Sequence, residues 1–267
     1  MTAVVALKYG NPDDVITVSS NMGNLESGAV VCGLAEGDQL TLNQALHALL
    51  IKSANDAAVA IAEHIGGSVE GFADMMNEEA QAIGATNSHF VNPHGLNAEN
   101  HYVTAYDMYL IFNEALKYDT VNEIISMTSY DTVYTDKNGN EKTLSVKNTN
   151  QYLAGNVAAP DRVTVIGGKT GTSQRNRDAW FMCVAPKLVA GAWVGGEDQS
   201  VHPTYGGEGS IMALPIVGEF FSTVYKNPAL GISKQDRFRR PDRVTEYDCE
   251  EEMQQSQYTE EEEGFFD

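Results

Sequence analysis

The chain has 267 residues, 42% of them apolar, enough to bury a sizeable core as one large domain or two modest ones. The formal net charge of −20 argues against a nucleic-acid partner, which requires a basic face. No run approaches the roughly 18 consecutive apolar residues of a membrane span, and the three cysteines (Cys32, Cys183 and Cys249) are odd in number, far apart and without a Cys-x-x-Cys, so they indicate neither a zinc site nor a disulfide framework.

In chain order, MTAVVALKYG reads as the middle of a helix and is too short and too weakly basic for a secretory signal. Leu42, Ala45, Leu46, Leu49 and Leu50 share one helical face, with Thr41 placed to cap it. A second helix runs from Asp56 to Ile65 and stops at Gly66-Gly67. Ser68 can cap a third, with Val69, Phe72, Met76 and Ile83 as its stripe and Gly84 at its end. Thr104 with Asp107, and Thr120 with Glu123, have capping-box spacing. Asn92-Pro93-His94-Gly95 is a turn-rich loop between helices.

The pattern changes near Tyr130. Asp131–Thr135 and Lys142–Lys147 pair as strands across Asn138-Gly139. Arg162–Ile166 alternates and leads as a strand into Gly167-Gly168-Lys169-Thr170-Gly171. Two further strands, Ala179–Val184 and Leu188–Val194, meet at Pro186, and Ala213–Tyr225 reads as a helix. Helices followed by strands imply segregated α and β parts, an α+β fold, and not alternating βαβ units. From Glu246 to Asp267 ten acidic residues stand without a lysine or arginine, which reads as a solvated acidic tail.

Two short motifs carry chemistry. A strand-borne Lys169-Thr170-Gly171-Thr172 forms an anion-recognition edge: the glycine admits a ligand backbone, and Lys169 and Thr170 can hold a carboxylate. A phosphate loop is excluded because Val163 stands where its first glycine belongs and no helix opens after Thr170. Ser53-Ala54-Asn55 lies at a break between helices, where Ser53 and Asn55 can face a cleft or simply cap. His89, His94 and His101 have no metal-ligand spacing, and Trp180 and Trp193 lie in apolar strands as core candidates.

Together, Ser-x-Asn and Lys-Thr-Gly are two of three elements of the penicillin-recognising serine enzymes, the third being Ser-x-x-Lys. The stretch from Leu40 to Met108, with NTNQYL and VIGGKTGT, resembles the D-alanyl-D-alanine carboxypeptidases (the low-molecular-weight penicillin-binding proteins) over about Met1 to Thr172. The resemblance implies the β-lactamase and penicillin-binding arrangement, a helical subdomain on an antiparallel sheet, here expected to lack its N-terminal strands. It implies a serine that attacks the carbonyl between two terminal D-alanines of a peptidoglycan stem peptide, giving an acyl-enzyme that water hydrolyses. Carried over by motif, Ser53 would relay protons, Asn55 would hold the substrate amide, Lys169 and Thr170 would bind the terminal carboxylate beside Gly171, and Thr172 would offer an oxyanion N–H. β-Lactams would bind as inhibitors, no metal or organic cofactor is implied, and the setting would be the bacterial cell envelope.

Two departures stand out. The sequence contains no Ser-x-x-Lys, so the chain reads as a fragment beginning about two residues after the base lysine, inactive as it stands. From about Lys169 to Phe238 it resembles instead the end of the transpeptidase domain of a bifunctional penicillin-binding protein, which predicts a hybrid with its junction near 167–173. The expected layout is one acyltransferase unit over 1–238 and the acidic tail over 239–267. The alternatives are a D,D-transpeptidase, or a non-catalytic protein that binds peptidoglycan or β-lactams.

Overall fold

In the computed structural model the described residues are 1–236, except 27, 152, 154–166, 173–176, 197–202 and 204–205. The expected strand at 162–166, the last residue of the predicted junction at 167–173 and the acidic tail at 239–267 lie outside them.

Helix α1 (Thr2–Tyr9) buries Thr2 to Ala6. Two three-residue strands, β1 (Val15–Thr17) and β2 (Gln39–Thr41), pair antiparallel with Val15 opposite Thr41. Neither was legible as a strand, because three residues show no period of their own. Helix α2 (Leu42–His47) starts with a full capping box: Thr41 Oγ1 accepts from Gln44 N, and the Gln44 side chain accepts from Thr41 N.

The helix then changes pitch. Ala48–Lys52 forms a π turn that ends at Ser53 in the left-handed conformation, φ 62°. The wider turn rotates the apolar stripe. Leu42, Ala45 and Leu46 are buried as expected, but Leu49 and Leu50 are only partly covered and Ala48 and Ile51 take the fully buried places. Helix α3 (Asn55–Gly66) follows at once and ends at Gly67, φ 73°, as the paired glycines predict. Gly66 is required by contact: a Cβ there would lie 2.5 Å from the backbone nitrogen of Phe72.

Ser68 caps α4 (Val69–Ala82) by accepting from Gly71 N, and Phe72 and Met76 bury its stripe. Thr104 caps α5 (Ala105–Ala115) through Asp107 N. The Asp107 carboxylate does not return to the cap; it turns inward and accepts from Asn87 N and Ser88 Oγ. Helix α6 (Asp119–Ser126) begins after Tyr118, so Thr120 lies inside it and the second predicted capping box does not form. Asn122 secures this start instead, donating to Leu116 O and Tyr118 O.

The predicted hairpin is present as β3 (Ser129–Thr135) and β4 (Glu141–Lys147). The Asp136 carboxylate closes its turn by accepting from Asn138 N, Asn140 N and Asn140 Nδ2. β2 joins β3 at Gln39 and Thr135, giving a four-stranded antiparallel sheet in the order β1-β2-β3-β4. A second antiparallel sheet holds β5 (Gly167–Thr172), β6 (Asp178–Ala185) and β7 (Leu188–Gly195) in that order. The single sheet of the expectation is therefore two sheets among the described residues.

β6 is buried on both faces. Phe181, Cys183 and Ala185 pack with Leu214, Val217, Phe221 and Tyr225 of α7 (Ala213–Lys226). Met182 and Val184 point the other way, into the large core formed with the helices. The β5–β7 sheet is thus sandwiched between α7 and the helical body, an α+β arrangement. Trp193 departs from expectation: it is 44% exposed, because its position on β7 faces outward, and its Nε1 donates to Asp178 Oδ1 at 3.0 Å.

Candidate active site

Ser53 is placed by two local features. The π turn ends in a left-handed residue, a conformation costly for anything but glycine, and α3 starts two residues later. The turn is tied by backbone bonds from Ser53 N and Ala54 N to Ala48 O. Ser53 therefore projects from a sharp corner between two helical segments and does not serve as the cap of α3.

Lys169 approaches from the other side of the fold. It is the third residue of β5, and its Nζ donates to Ser53 Oγ and, at 2.6 Å, to Thr170 O. The two motifs, 116 residues apart in sequence, thus meet through one hydrogen bond. Burial pushes the Lys169 amine down to about 8 from its ordinary value of 10.5, because a desolvated ammonium is disfavoured.

The rest of β5 is held on both sides. Thr170 Oγ1 lies 2.9 Å from Thr149 Oγ1, and Thr172 Oγ1 accepts from Gly209 N at 3.1 Å. Glycine is obligatory at 168 and 209: a Cβ at Gly168 would lie 2.7 Å from Met182 O, and one at Gly209 would lie 2.2 Å from Trp180 O. Gly171 has ordinary room on the protein side, 3.4 Å to Trp180 Cβ. Asn55 opens α3, is buried, and donates its backbone N–H to Val30 O at 2.8 Å. Ser53, Lys169 and Thr170 are therefore in contact through bonds, with Asn55 and Gly171 adjoining them along their elements and Thr172 anchored to Gly209.

Sequence reasoning missed three participants. Asp56 is 2% exposed, and its carboxylate accepts from the backbone N–H groups of Cys32, Gly33, Leu34 and Ala57. An acidic residue in the first turn of a helix was a visible signal, but its partners more than twenty residues away were not. Thr149 and Gly209 carried no local signal at all.

The histidines belong to a loop. His89 Nδ1 bonds Asn100 O, His94 Nδ1 accepts from Leu96 N, and His101 Nδ1 accepts from Val91 N. Among the described residues no group of three or more His, Cys, Asp or Glu side chains is arranged to hold a metal ion.

A family model described as D-alanyl-D-alanine carboxypeptidase matches residues 1–185. The chain is 38% identical over 122 residues to the D-alanyl-D-alanine carboxypeptidase DacF of Bacillus subtilis, covering 45% of this chain and 30% of that protein. It is 36% identical over 124 residues to DacA of Escherichia coli, covering 44% of this chain and 30% of that one. The chain thus spans about a third of the length of these curated relatives. A variant of a Streptomyces DD-transpeptidase superposes with a TM-score of 0.61 at 25% identity, covering 73% of this chain and 78% of that one. A penicillin-binding protein homologue from Mycobacterium tuberculosis gives 0.65 at 24% identity, over 87% and 82%, a likeness of fold.

Proposed function

The chain belongs to the D-alanyl-D-alanine carboxypeptidase family of serine peptidases, and from that premise we propose that its Ser53–Lys169 cleft recognises peptidoglycan stem peptides ending in D-Ala-D-Ala. The observation that carries this reading is the Lys169 amine delivered onto Ser53 Oγ at the corner between the π turn and α3. A desolvated ammonium beside a threonine hydroxyl is suited to a peptide's terminal carboxylate, since a charge-assisted bond is strongest where water is excluded. In this reading Lys169 and Thr170 hold that carboxylate, and Gly171 lets the ligand backbone lie against β5. Thr172 offers an N–H to the carbonyl oxygen between the two D-alanines, Asn55 meets the substrate amide, and Ser53 stands where a proton would pass to the departing D-alanine once a nucleophile is supplied. β-Lactams occupy the same cleft as mimics of that terminus, and the working environment is the bacterial cell envelope.

Acyl transfer also needs a nucleophilic serine and its base. No Ser-x-x-Lys occurs among the 267 residues, so we assign to them the recognition part of the reaction and no acyl-enzyme of their own. Likeness to the Streptomyces DD-transpeptidase favours a second reading in which an amine, and not water, would take the acyl group. Both readings share the same donor terminus.

The test is titration calorimetry of the chain with diacetyl-L-Lys-D-Ala-D-Ala, beside intact-mass analysis after incubation with benzylpenicillin. Reversible peptide binding is expected, lost in Lys169→Met, with no mass increase from penicillin. Equal binding by the parent and Lys169→Met would place the carboxylate elsewhere, and a covalent adduct would reveal a nucleophile within the chain.

A further inference from the structure

Thr149 reaches β5 from outside both sequence motifs. It stands just beyond the end of β4, and its Oγ1 lies 2.9 Å from Thr170 Oγ1. Its neighbours leave it little freedom. Asn148 N donates to Thr128 O at 2.9 Å, Asn148 Nδ2 donates to Met127 O at 2.7 Å, and Asn148 Oδ1 accepts from Asn150 N at 2.8 Å. Asn150, on the other side, is fully buried. Thr149 is therefore clamped between an asparagine tied to the link between α6 and β3 and a second one sunk in the interior.

A hydroxyl carries one hydrogen and two acceptor sites. The bond between Thr149 and Thr170 can run either way, and among the described residues neither hydroxyl has another partner. If Thr170 donates to Thr149, its only hydrogen is used and none is left for a ligand. If Thr149 donates, Thr170 keeps its hydrogen for an acceptor at the site. An ionised carboxylate can only accept, so it selects the second arrangement. The Thr170 backbone is fixed as well, because its carbonyl oxygen accepts from Lys169 Nζ at 2.6 Å. The protonated Lys169 amine has a third hydrogen beyond those given to Ser53 and Thr170. Adjoining residues thus each keep one donor for the same terminus.

We infer that Thr149 is a positioning residue for ligand recognition: by donating to Thr170 Oγ1 it turns the Thr170 hydrogen toward the terminal carboxylate. This rests on the D-Ala-D-Ala reading given above and adds to it a group that does not touch the ligand. A hydroxyl that accepts one hydrogen bond donates the next more strongly. The gain is larger for an ionised acceptor, to which a hydrogen bond is roughly twice as strong as to a neutral one. Thr149 therefore favours a charged terminus over an uncharged one.

The experiment measures, by calorimetry, the affinity for diacetyl-L-Lys-D-Ala-D-Ala and for the same peptide with a C-terminal amide. The proteins are the parent chain, Thr149→Val, Thr149→Ser and Lys169→Met. Valine matches threonine in outline and Thr149 is only half-buried, so the fold should hold; thermal melting checks this, and Thr149→Ala takes its place if it does not. Thr149→Val should weaken the carboxylate peptide about fivefold, the net worth of one hydrogen bond, and the amide by less than about twofold, so that the ratio of the two affinities falls. Thr149→Ser keeps a hydroxyl and should keep the parent's ratio. A purely structural threonine would leave that ratio unmoved. Equal weakening of both peptides, weakening of neither, or a serine variant as poor as the valine one overturns the positioning role and leaves the carboxylate reading in place. Failure of the parent chain to bind either peptide, or binding by Lys169→Met as tight as the parent's, overturns that reading and the role of Thr149 with it.

Discussion

Lys169 is held under two opposed demands. Burial disfavours its charge, yet the carboxylate ligand proposed for it would require that charge. Its pKa of about 8 when folded lies below its value of 10.5 when unfolded, so the unfolded chain binds more protons between those values and stability rises with pH across that window. The destabilisation is complete below pH 8 and amounts to about 3 kcal/mol, less what the bonds to Ser53 and Thr170 return. Lys169→Met should therefore melt higher than the parent at pH 7, with the difference shrinking as pH approaches 10.5; parallel melting curves through that range would mean a solvated amine. Affinity for an anionic ligand should run the other way, falling about tenfold per pH unit above 8 as the ammonium is lost. The sequence showed Lys169, Thr170 and Ser53 as motif members but not this tension, which arises only where β5 delivers the amine against the Ser53 corner. Asp56 was hidden for the same reason: its role is defined by amides at 32–34, and no local pattern encodes that closure.

Among the elements, those governed by local chemistry were legible. Thr41, Ser68 and Thr104 cap the helices they were expected to cap, Gly67 ends α3, and β3 and β4 form their hairpin. The failures share a cause. The π turn at Ala48–Lys52 depends on the chain beyond it turning sharply at Ser53, and β1 and β2 exist because each supplies the other's partners. The loop from His89 to Tyr102 shows how an element can carry a condition that its composition hides. His94 and His101 each accept a backbone N–H through Nδ1, so protonation sets an N–H against an N–H. Burial and the facing His101 hold His94 down to about 4, against the opposing pull of Glu26. Its folded pKa being depressed, the stability linked to it is fully present above 6.5 and lost as pH falls from 6.5 toward 4. Allowing for solvent screening, this is about 1 to 2 kcal/mol. His94→Asn offers the Leu96 N–H an acceptor that does not titrate, and its melting temperature should fall less than the parent's between those pH values. Identical acid slopes in the two proteins would show that His94 protonation is not coupled to the loop.

At the scale of the whole molecule, the site depends on a layer that never touches it. The Ser53 corner belongs to the helical body and Lys169 to the β5–β7 sheet, so the site exists only while the sheet keeps its place against the helices. The sheet's other face is closed by α7 alone among the described elements, through a small cluster around Phe181 and Phe221, both fully buried. Phe181 also defines the floor beneath β5, since a Cβ at Gly168 would lie 3.0 Å from its Cζ. Phe221→Ala should cost about 3 to 5 kcal/mol, because the small cluster has few neighbours to collapse into the void. Phe181 is then free to relax toward that void, which withdraws support from Gly168 and the adjoining Lys169. The variant should consequently show two effects: a lower denaturant midpoint and, under conditions where it remains fully folded, weaker binding of the D-Ala-D-Ala ligand. Loss of stability with unchanged affinity would mean that β5 is held by the helical body alone and that α7 contributes only to the core.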